Sequence, residues 1–162
     1  MKTQKQLNAF IRQQRKDPLA NEPLAGIRVV DMGTVLAAPS AAALLSDYGA
    51  ELIKVENPDM PDATRGWGIV KESGIAPFWA VLGRNKFPIT LNLKAAAGKQ
   101  VFLKLMQKTD VLIENMRPGA LDKLGLSHAV LLETNPGLVI GSISGYGRSG
   151  PYSALPGFGT LA

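Results

Sequence analysis

Short strand-like apolar runs alternate with segments of helical periodicity from Pro23 to the end of the chain. The runs are rich in β-branched residues and are bounded by Gly, Pro or Asn, a pattern that predicts buried strands. Strands are predicted at 27–32, 51–56, 88–93, 110–114 and 138–144. Because strands that alternate with helices form parallel sheets covered on both faces, we predict an α/β fold with a Rossmann-like, doubly wound, mostly parallel sheet.

The segments between these runs predict the helices that cover the sheet. The alanine-rich helix after the first strand is closed by Gly49, a common stop signal. The prolines and glycines of 57–73 predict a long surface loop, and loops of this length in compact domains are usually functional or disordered. Helices are predicted at 37–48, 77–82 and 95–108, with two short ones that open at 117–119 and at Ser127.

One domain is expected to occupy residues 23–162, after an N-terminal extension at 1–22. The extension contains lysines and arginines but no apolar segment of the signal-peptide type, so it does not predict a secretory signal. It is expected to be poorly ordered or to form a short amphipathic helix. A new apolar segment begins at 159–162, so we expect the domain to be incomplete at its C-terminus.

Composition supports a folded core and narrows the classes of ligand. The 162 residues are 46% hydrophobic and 19% charged, which favours a globular chain over a disordered one. The net charge of +5 comes from scattered cations, which suit an anionic phosphate ligand better than a nucleic acid. No stretch reaches the roughly 20 apolar residues that span a bilayer, so no membrane partner is expected.

The chain has no cysteine and one histidine, His128. Disulfides and thiolate-ligated metals are excluded, and no histidine-built zinc site or other metal is expected. A cysteine-free chain suits the cytoplasm. Ser142 and Ser144 do not fit the G-x-S-x-G elbow, and no histidine partner is evident, so serine hydrolysis is not expected.

The turn after the first predicted strand contains only one glycine of the dinucleotide signature, Gly33. NAD or FAD binding is therefore weakly supported, and no G-x-x-x-x-G-K-[ST] phosphate loop is present. Ala37 and Ala38 permit close approach of an anion to the start of the following helix. The same alanines equally suit close packing of that helix on the sheet.

Other polar groups fall in predicted loops or just after strands. Arg65 and the cations of 84–86 suit phosphate contacts, and Trp67 can stack on an adenine ring. The alternative is that Trp67 anchors its loop and the cations form a solvated rim. Asn115 follows a predicted strand, where ligand-facing residues gather, but asparagine is also a good cap for the next helix.

Several blocks in fixed order resemble the opening of class III CoA-transferases. The resemblance runs from about Pro23 to the last residue, and such a succession is far more specific than any single motif. The blocks are PLAGIRVVD at 23–31, LSDYGAELIKVE at 45–56, RGW at 65–67, RNK at 84–86, LNLK at 91–94, DVLIENMRPG at 110–119 and SISGYG at 142–147.

This resemblance implies transfer of CoA between an acyl-CoA donor and a carboxylic acid acceptor, as in formyl-CoA:oxalate and carnitine CoA-transferases. It also implies that the Rossmann-like half binds CoA and that two chains interlock as a dimer. Asn57 replaces an arginine of one relative, and Leu36 replaces a glutamine. These two changes imply weaker affinity for the adenine or phosphate groups of CoA. The CoA contacts carried over by position are Val35, Leu36, Asn57, Leu91, Lys94, Asn115, Met116 and Lys123.

The family's nucleophile is an aspartate that forms covalent acyl intermediates, and the resemblance places it beyond residue 162. No catalytic residue is therefore expected here, and the 162 residues alone are expected to bind CoA without turnover. The partner is then a homo-oligomeric copy or a missing C-terminal half. Three alternatives stay open: a non-catalytic fragment or split subunit that acts in assembly, a nucleotide-binding oxidoreductase, and the acyl-CoA racemase branch. That branch uses a histidine and aspartate where this chain has 156–159.

Overall fold

A computed structural model describes residues 22–69 and 74–157 of the protein. These residues form a sheet of five parallel strands in the order β3-β2-β1-β4-β5. This order is that of a Rossmann-like sheet, so the predicted fold class is confirmed. The strands are β1 (Arg28–Asp31), β2 (Glu51–Glu56), β3 (Lys86–Thr90), β4 (Val111–Glu114) and β5 (Val139–Ser142).

Helices cover both faces of this sheet. In chain order they are α1 (Ala37–Asp47), α2 (Pro77–Leu82), α3 (Ala96–Met106), α4 (Ala120–Lys123) and α5 (His128–Thr134), and a 3-10 helix spans Ala63–Gly66. Their order agrees with the order predicted from the sequence. The predicted N-terminal extension and the segment 159–162 lie outside the described residues, apart from Glu22.

The two faces of the sheet bury different kinds of side chain. On one face, Phe102 and Met106 of α3 pack with Leu112 of β4 in a large hydrophobic cluster. On the other face, the small side chains of Ala38 and Ala42 let α1 lie close to the sheet. The central strands β1 and β4 are therefore buried on both sides.

The third strand begins earlier than its sequence predicted. The prediction was 88–93, whereas the strand spans Lys86–Thr90. Lys86 pairs in register with Leu52 and its side chain is buried, a position that a charged residue rarely occupies without a partner. Leu91 lies just past the strand, but its N–H still donates to the Glu56 carbonyl at 2.9 Å.

Among residues 22–69 and 74–157, no helix is both long and apolar enough to cross a membrane.

The part of the predicted 57–73 loop that is described contains the 3-10 helix Ala63–Gly66, which the sequence did not predict. Its N-cap is Asp62, whose carboxylate accepts the Thr64 N–H at 3.0 Å. This local turn aims Asp62 inward, toward the carboxyl ends of the strands.

Candidate nucleotide-binding site

A cleft of about 290 Å³ opens at the carboxyl ends of β1 and β2, the edge at which open α/β sheets bind ligands. Apolar side chains of Leu91, Leu93 and Met116 line it, together with polar groups that include Asn57 and Lys94. A volume of this size holds only part of a ligand as large as CoA, and a mostly apolar wall with a few polar groups is typical of ligand sites.

The structure places five of the eight predicted contact residues in two clefts. Asn57, Leu91, Lys94 and Met116 line the cleft together. Asn115 instead lines a second cleft of about 310 Å³ beside Arg117 and Ser144, and Met116 borders both. The remaining three, Val35, Leu36 and Lys123, line neither of these two clefts.

The β1–α1 turn, residues 33–35, forms one wall of the cleft through its first two residues. Gly33 donates its N–H to Asp31 at 2.7 Å. Thr34 is held at both backbone groups by the Asn115 amide, which accepts its N–H at 2.8 Å and donates to its carbonyl at 2.9 Å. Val35 donates its N–H to both oxygens of Asp62 at 3.3 Å.

Close packing limits what can stand in this turn. A Cβ added to Gly33 would lie 2.3 Å from the Ala38 Cβ, well inside van der Waals contact. Ala38 is fully buried on the sheet, whereas Ala37 is exposed. Of the two interpretations of these alanines, packing therefore describes Ala38. Pro39 follows and has no N–H to offer an anion.

Two buried lysines lie behind the turn. The Lys54 ammonium donates to the Gly33 carbonyl and lies 3.4 Å from Asp31 and 3.3 Å from Asp62. The Lys86 ammonium lies 2.8 Å from the same Asp31 carboxylate and also donates to the Pro39 carbonyl. Both lysine side chains are 1% exposed, so these ion pairs are shielded from water.

This environment shifts the pKa of several groups. Burial, only partly offset by Asp31, lowers the pKa of Lys86 below its ordinary range. Burial alone would raise the pKa of Asp62, but hydrogen bonds from Thr64 and the charge of Lys54 outweigh it, and that pKa is lowered. Asp62 is therefore held ionised, as its role as acceptor requires.

The loop cations form ion pairs with acidic groups. Arg65 donates to Glu56 through Nε at 3.1 Å and Nη2 at 2.6 Å, and its guanidinium lies 3.6 Å from the centre of the Trp79 ring. Arg84 donates to Asp47 at 2.5 Å. The solvated-rim interpretation is wrong for Lys86, whose side chain is buried. Arg65 and Arg84 are about a third exposed, and each is paired with a carboxylate.

Trp67 is 42% exposed and meets Phe78 edge to face, with ring centres 5.7 Å apart. It lies outside the linings of both clefts. Its contact with α2 agrees with the interpretation of Trp67 as a loop anchor.

A histidine partner for Ser142 does exist, contrary to the sequence expectation. His128 begins α5, and its Nε2 lies 3.2 Å from the Ser142 Oγ. Arg148 Nη1 lies 2.5 Å from the same Nε2 and 3.2 Å from Nδ1, so a guanidinium cation competes with Ser142 for the nitrogen that a triad uses to take the serine proton. The pair therefore does not form a triad.

Sequence reasoning missed the charges that shape this site, namely Lys54, Glu56 and Asp62. The detectable signal was Lys54 in the middle of β2, between the apolar residues Ile53 and Val55. Within the described ranges 22–69 and 74–157, no group of three or more His, Cys, Asp or Glu residues is arranged to hold a metal ion.

Comparison with known proteins assigns a family to this arrangement. The model of CoA-transferase family III matches residues 24–162. The chain is 47% identical over 140 residues to the succinyl-CoA–L-malate CoA-transferase beta subunit of Chloroflexus aurantiacus. This match covers 86% of the present chain and 35% of that protein. It is 38% identical over 140 residues to the formyl-CoA:oxalate CoA-transferase of Escherichia coli, with 86% and 34% covered.

Solved structures agree with these sequence matches. A CAIB/BAIF family protein from Brucella suis superposes with a TM-score of 0.80 at 38% identity, over 85% of this chain and 37% of that one. A hypothetical protein from Mycobacterium tuberculosis superposes with a TM-score of 0.79 at 36% identity, with 86% and 38% covered. The chain spans about a third of the length of the curated relatives it matches.

Proposed function

Because this chain belongs to CoA-transferase family III, we propose that its cleft binds a CoA thioester. The complete activity is then transfer of CoA from an acyl-CoA donor to a carboxylic acid acceptor. One observation carries the binding proposal. Four residues that the family resemblance selects, Asn57, Leu91, Lys94 and Met116, follow three different strands and meet in one cleft at the carboxyl edge of the sheet.

The lining of the cleft suits the nucleotide end of CoA. Leu91 and Met116 offer an apolar surface to the adenine ring, and Asn57 offers hydrogen bonds at the rim. Lys94 is exposed beside this surface and suits a phosphate. Lys123 lies on α4 and is also exposed, and we propose that it meets a more distant phosphate.

The aspartates nearest the cleft are engaged elsewhere, which supports a nucleophile outside these residues. Asp31 is fully buried between Lys54 and Lys86. Asp62 is 3% exposed and accepts backbone N–H groups. A carboxylate nucleophile must reach the thioester carbonyl. We therefore propose that the described residues supply nucleotide binding and that the family's aspartate lies in sequence beyond 162.

The acceptor is proposed to be a small dicarboxylic acid. The relatives' names carry malate, glutarate and oxalate as partners in the transfer. The cysteine-free sequence supports a cytoplasmic location for the proposed reaction.

Two relatives are named as alpha and beta subunits, which supports assembly with a second polypeptide or a second copy as an alternative role. In this alternative role, the chain contributes a binding surface to a catalytic partner. Both proposals share the cleft, so they differ only in where the nucleophile comes from. Acyl-CoA racemisation and nucleotide-dependent oxidoreduction remain weaker alternatives, since the relatives reported above are transferases.

Calorimetric titration of free CoA into the purified 162-residue chain at low salt tests the binding proposal. Saturable binding is expected, with weaker affinity in Lys94→Ala and Lys123→Ala. Lys104→Ala, which removes an exposed lysine from α3, is the matched control. NAD titrated in parallel separates a CoA site from an oxidoreductase site. Absence of CoA binding to folded protein would refute the proposal.

A mixture of succinyl-CoA, L-malate and the purified chain tests the location of the nucleophile. Product analysis by mass spectrometry is expected to show no malyl-CoA above a protein-free control. Turnover by these residues alone would place the nucleophile within them and would contradict this part of the proposal.

A further inference from the structure

We propose that Asp62 is a positioning residue that holds Val35 in a strained conformation, so that a CoA ligand meets a preformed β1–α1 turn. The inference rests on the proposed function, because it concerns the same cleft. Neither the sequence pattern nor the family resemblance predicts that Asp62 holds the backbone of Val35.

The observation behind it is the backbone of Val35. Its φ is 65°, in the left-handed region. Valine is β-branched and adopts this region far less readily than glycine, so the conformation persists only where surrounding contacts impose it. Residues held in this way cluster at ligand sites, and the two residues before Val35 line the cleft.

The contacts that impose the conformation come from outside the turn. Asp62, in the loop that follows β2, accepts the Val35 N–H at 3.3 Å through both oxygens. Its carboxylate is fixed in turn by Lys54, at 3.3 Å, and by the Thr64 hydroxyl, at 2.7 Å. A carboxylate that is 3% exposed and bound on several sides has little freedom to move, so it holds its acceptor oxygens in place.

Asn115 fixes the residue before Val35 by a second route. The oxygen of its side-chain amide accepts the Thr34 N–H, and the nitrogen of the same amide donates to the Thr34 carbonyl. The turn is thus held between Asp62 on the β2 side and Asn115 on the β4 side. This arrangement makes Asn115 a positioning residue as well, although the resemblance selected it as a ligand contact.

A purely structural role for Asp62 is the competing explanation, because it also caps the 3-10 helix Ala63–Gly66. The two roles predict different responses. A cap stabilises its helix whatever residue occupies position 35. A positioning residue matters only while position 35 resists the left-handed conformation, so glycine at 35 should remove the need for it.

The test is a double-mutant cycle on CoA affinity with Asp62→Asn and Val35→Gly, measured by calorimetry on the full chain. Asp62→Asn is expected to weaken binding on the order of tenfold, the scale to which backbone strain of this kind corresponds. In the Val35→Gly background the same substitution is expected to cost about threefold or less. The cycle cancels any direct contact that the valine side chain makes with CoA.

Two control variants accompany the cycle. Thr64→Val removes one hydrogen bond that fixes the Asp62 carboxylate but keeps the backbone N–H that Asp62 caps, so it is expected to weaken CoA affinity less than Asp62→Asn does. Asp59→Asn removes an exposed carboxylate from the same loop and is expected to keep wild-type affinity. Equal losses of affinity from Asp62→Asn in both backgrounds would overturn the proposal.

Amide hydrogen exchange provides a readout that does not depend on CoA. The Val35 N–H is expected to exchange more slowly in the wild-type chain than in Asp62→Asn, with exchange in the core strands unchanged. If the wild-type chain binds no CoA, the proposed function fails and exchange alone decides the positioning role. Unchanged exchange at Val35 in Asp62→Asn would overturn that role.

Discussion

The Lys86 ammonium lies 2.8 Å from the Asp31 carboxylate, and both side chains are at most 1% exposed. Lys86 begins the edge strand β3 and Asp31 ends the central strand β1, so the pair crosses β2 and links two strands that are not neighbours. The same carboxylate accepts the Gly33 N–H. This ion pair therefore connects the edge of the sheet to the turn that forms a wall of the cleft.

Lys86→Met is expected to lower the free energy of unfolding by about 3 kcal/mol, because it leaves the buried Asp31 with one cationic partner in place of two. Urea denaturation at neutral pH measures this. Lys104→Met, on an exposed face of α3, is the control and is expected to change stability by less than about 0.5 kcal/mol. Equal effects of the two substitutions would contradict a special role for the buried pair.

Acid is expected to destabilise the fold through Glu56. Burial alone would raise the pKa of this carboxyl, but hydrogen bonds from Arg65 and from the Asp62 N–H outweigh it, and the pKa is lowered. As pH falls through about 4.3, Glu56 becomes protonated in the unfolded chain but stays ionised in the folded chain. Stability contributed by Glu56 is thus present above this range and is lost as pH falls to the lowered folded pKa.

Glu56→Gln removes this contribution and is expected to make the loss of stability in acid shallower, at a cost of about 1 kcal/mol at neutral pH. Urea denaturation at a series of pH values gives the two profiles. Glu133→Gln, which removes an exposed carboxylate from α5, is the matched control. A profile in acid that is the same for Glu56→Gln and the wild type would contradict the prediction.

Gly33→Ala is expected to lower stability by about 2 kcal/mol, because its Cβ would lie 2.3 Å from the Ala38 Cβ and 2.9 Å from the Pro39 Cδ. Helix α1 and the turn must then move apart. Gly66→Ala is the matched control, since a Cβ at Gly66 has no heavy atom within 4 Å. Thermal unfolding of both variants measures the difference, and similar melting temperatures would show that the turn accommodates a methyl group.

The order of strands and helices was predictable because each element carries its own periodicity. The buried positions of strand β4 and helix α3 are occupied by apolar residues. The local sequence pattern is therefore sufficient to predict both elements. Strand β3 was misplaced for the opposite reason. Lys86 is buried because of Asp31, which lies 55 residues away along the sequence, and a local pattern contains no information about that partner.

The candidate site was predictable in part, and only through the family resemblance. That resemblance selected Asn57, Leu91, Lys94 and Met116, which the fold brings together. Lys54 and Asp62 were missed because their function lies in contacts across the sheet and not with a ligand. Val35 was selected as a contact, but its left-handed backbone cannot be read from a sequence in which valine disfavours that conformation.

Arg65 is expected to depend on its planar guanidinium as well as on its charge. It donates twice to Glu56 and lies 3.6 Å from the centre of the Trp79 ring, so it joins the end of β2 to helix α2. Lysine keeps the charge but loses the paired hydrogen bonds and the stacking. Arg65→Lys is therefore expected to cost about 1 kcal/mol in stability, measured by urea denaturation.

The aromatic share of this cost is separable by experiment. In a Trp79→Leu background, Arg65→Lys is expected to cost about half as much, because the ring contact is already gone. Arg28→Lys is the matched control, since Arg28 pairs with Glu51 at 2.8 Å and is 33% exposed, close to the 35% of Arg65. Its substitution is expected to cost the same with or without Trp79. If Arg65→Lys behaves in the same way, the ring contributes nothing and Glu56 alone holds the guanidinium beside the cleft.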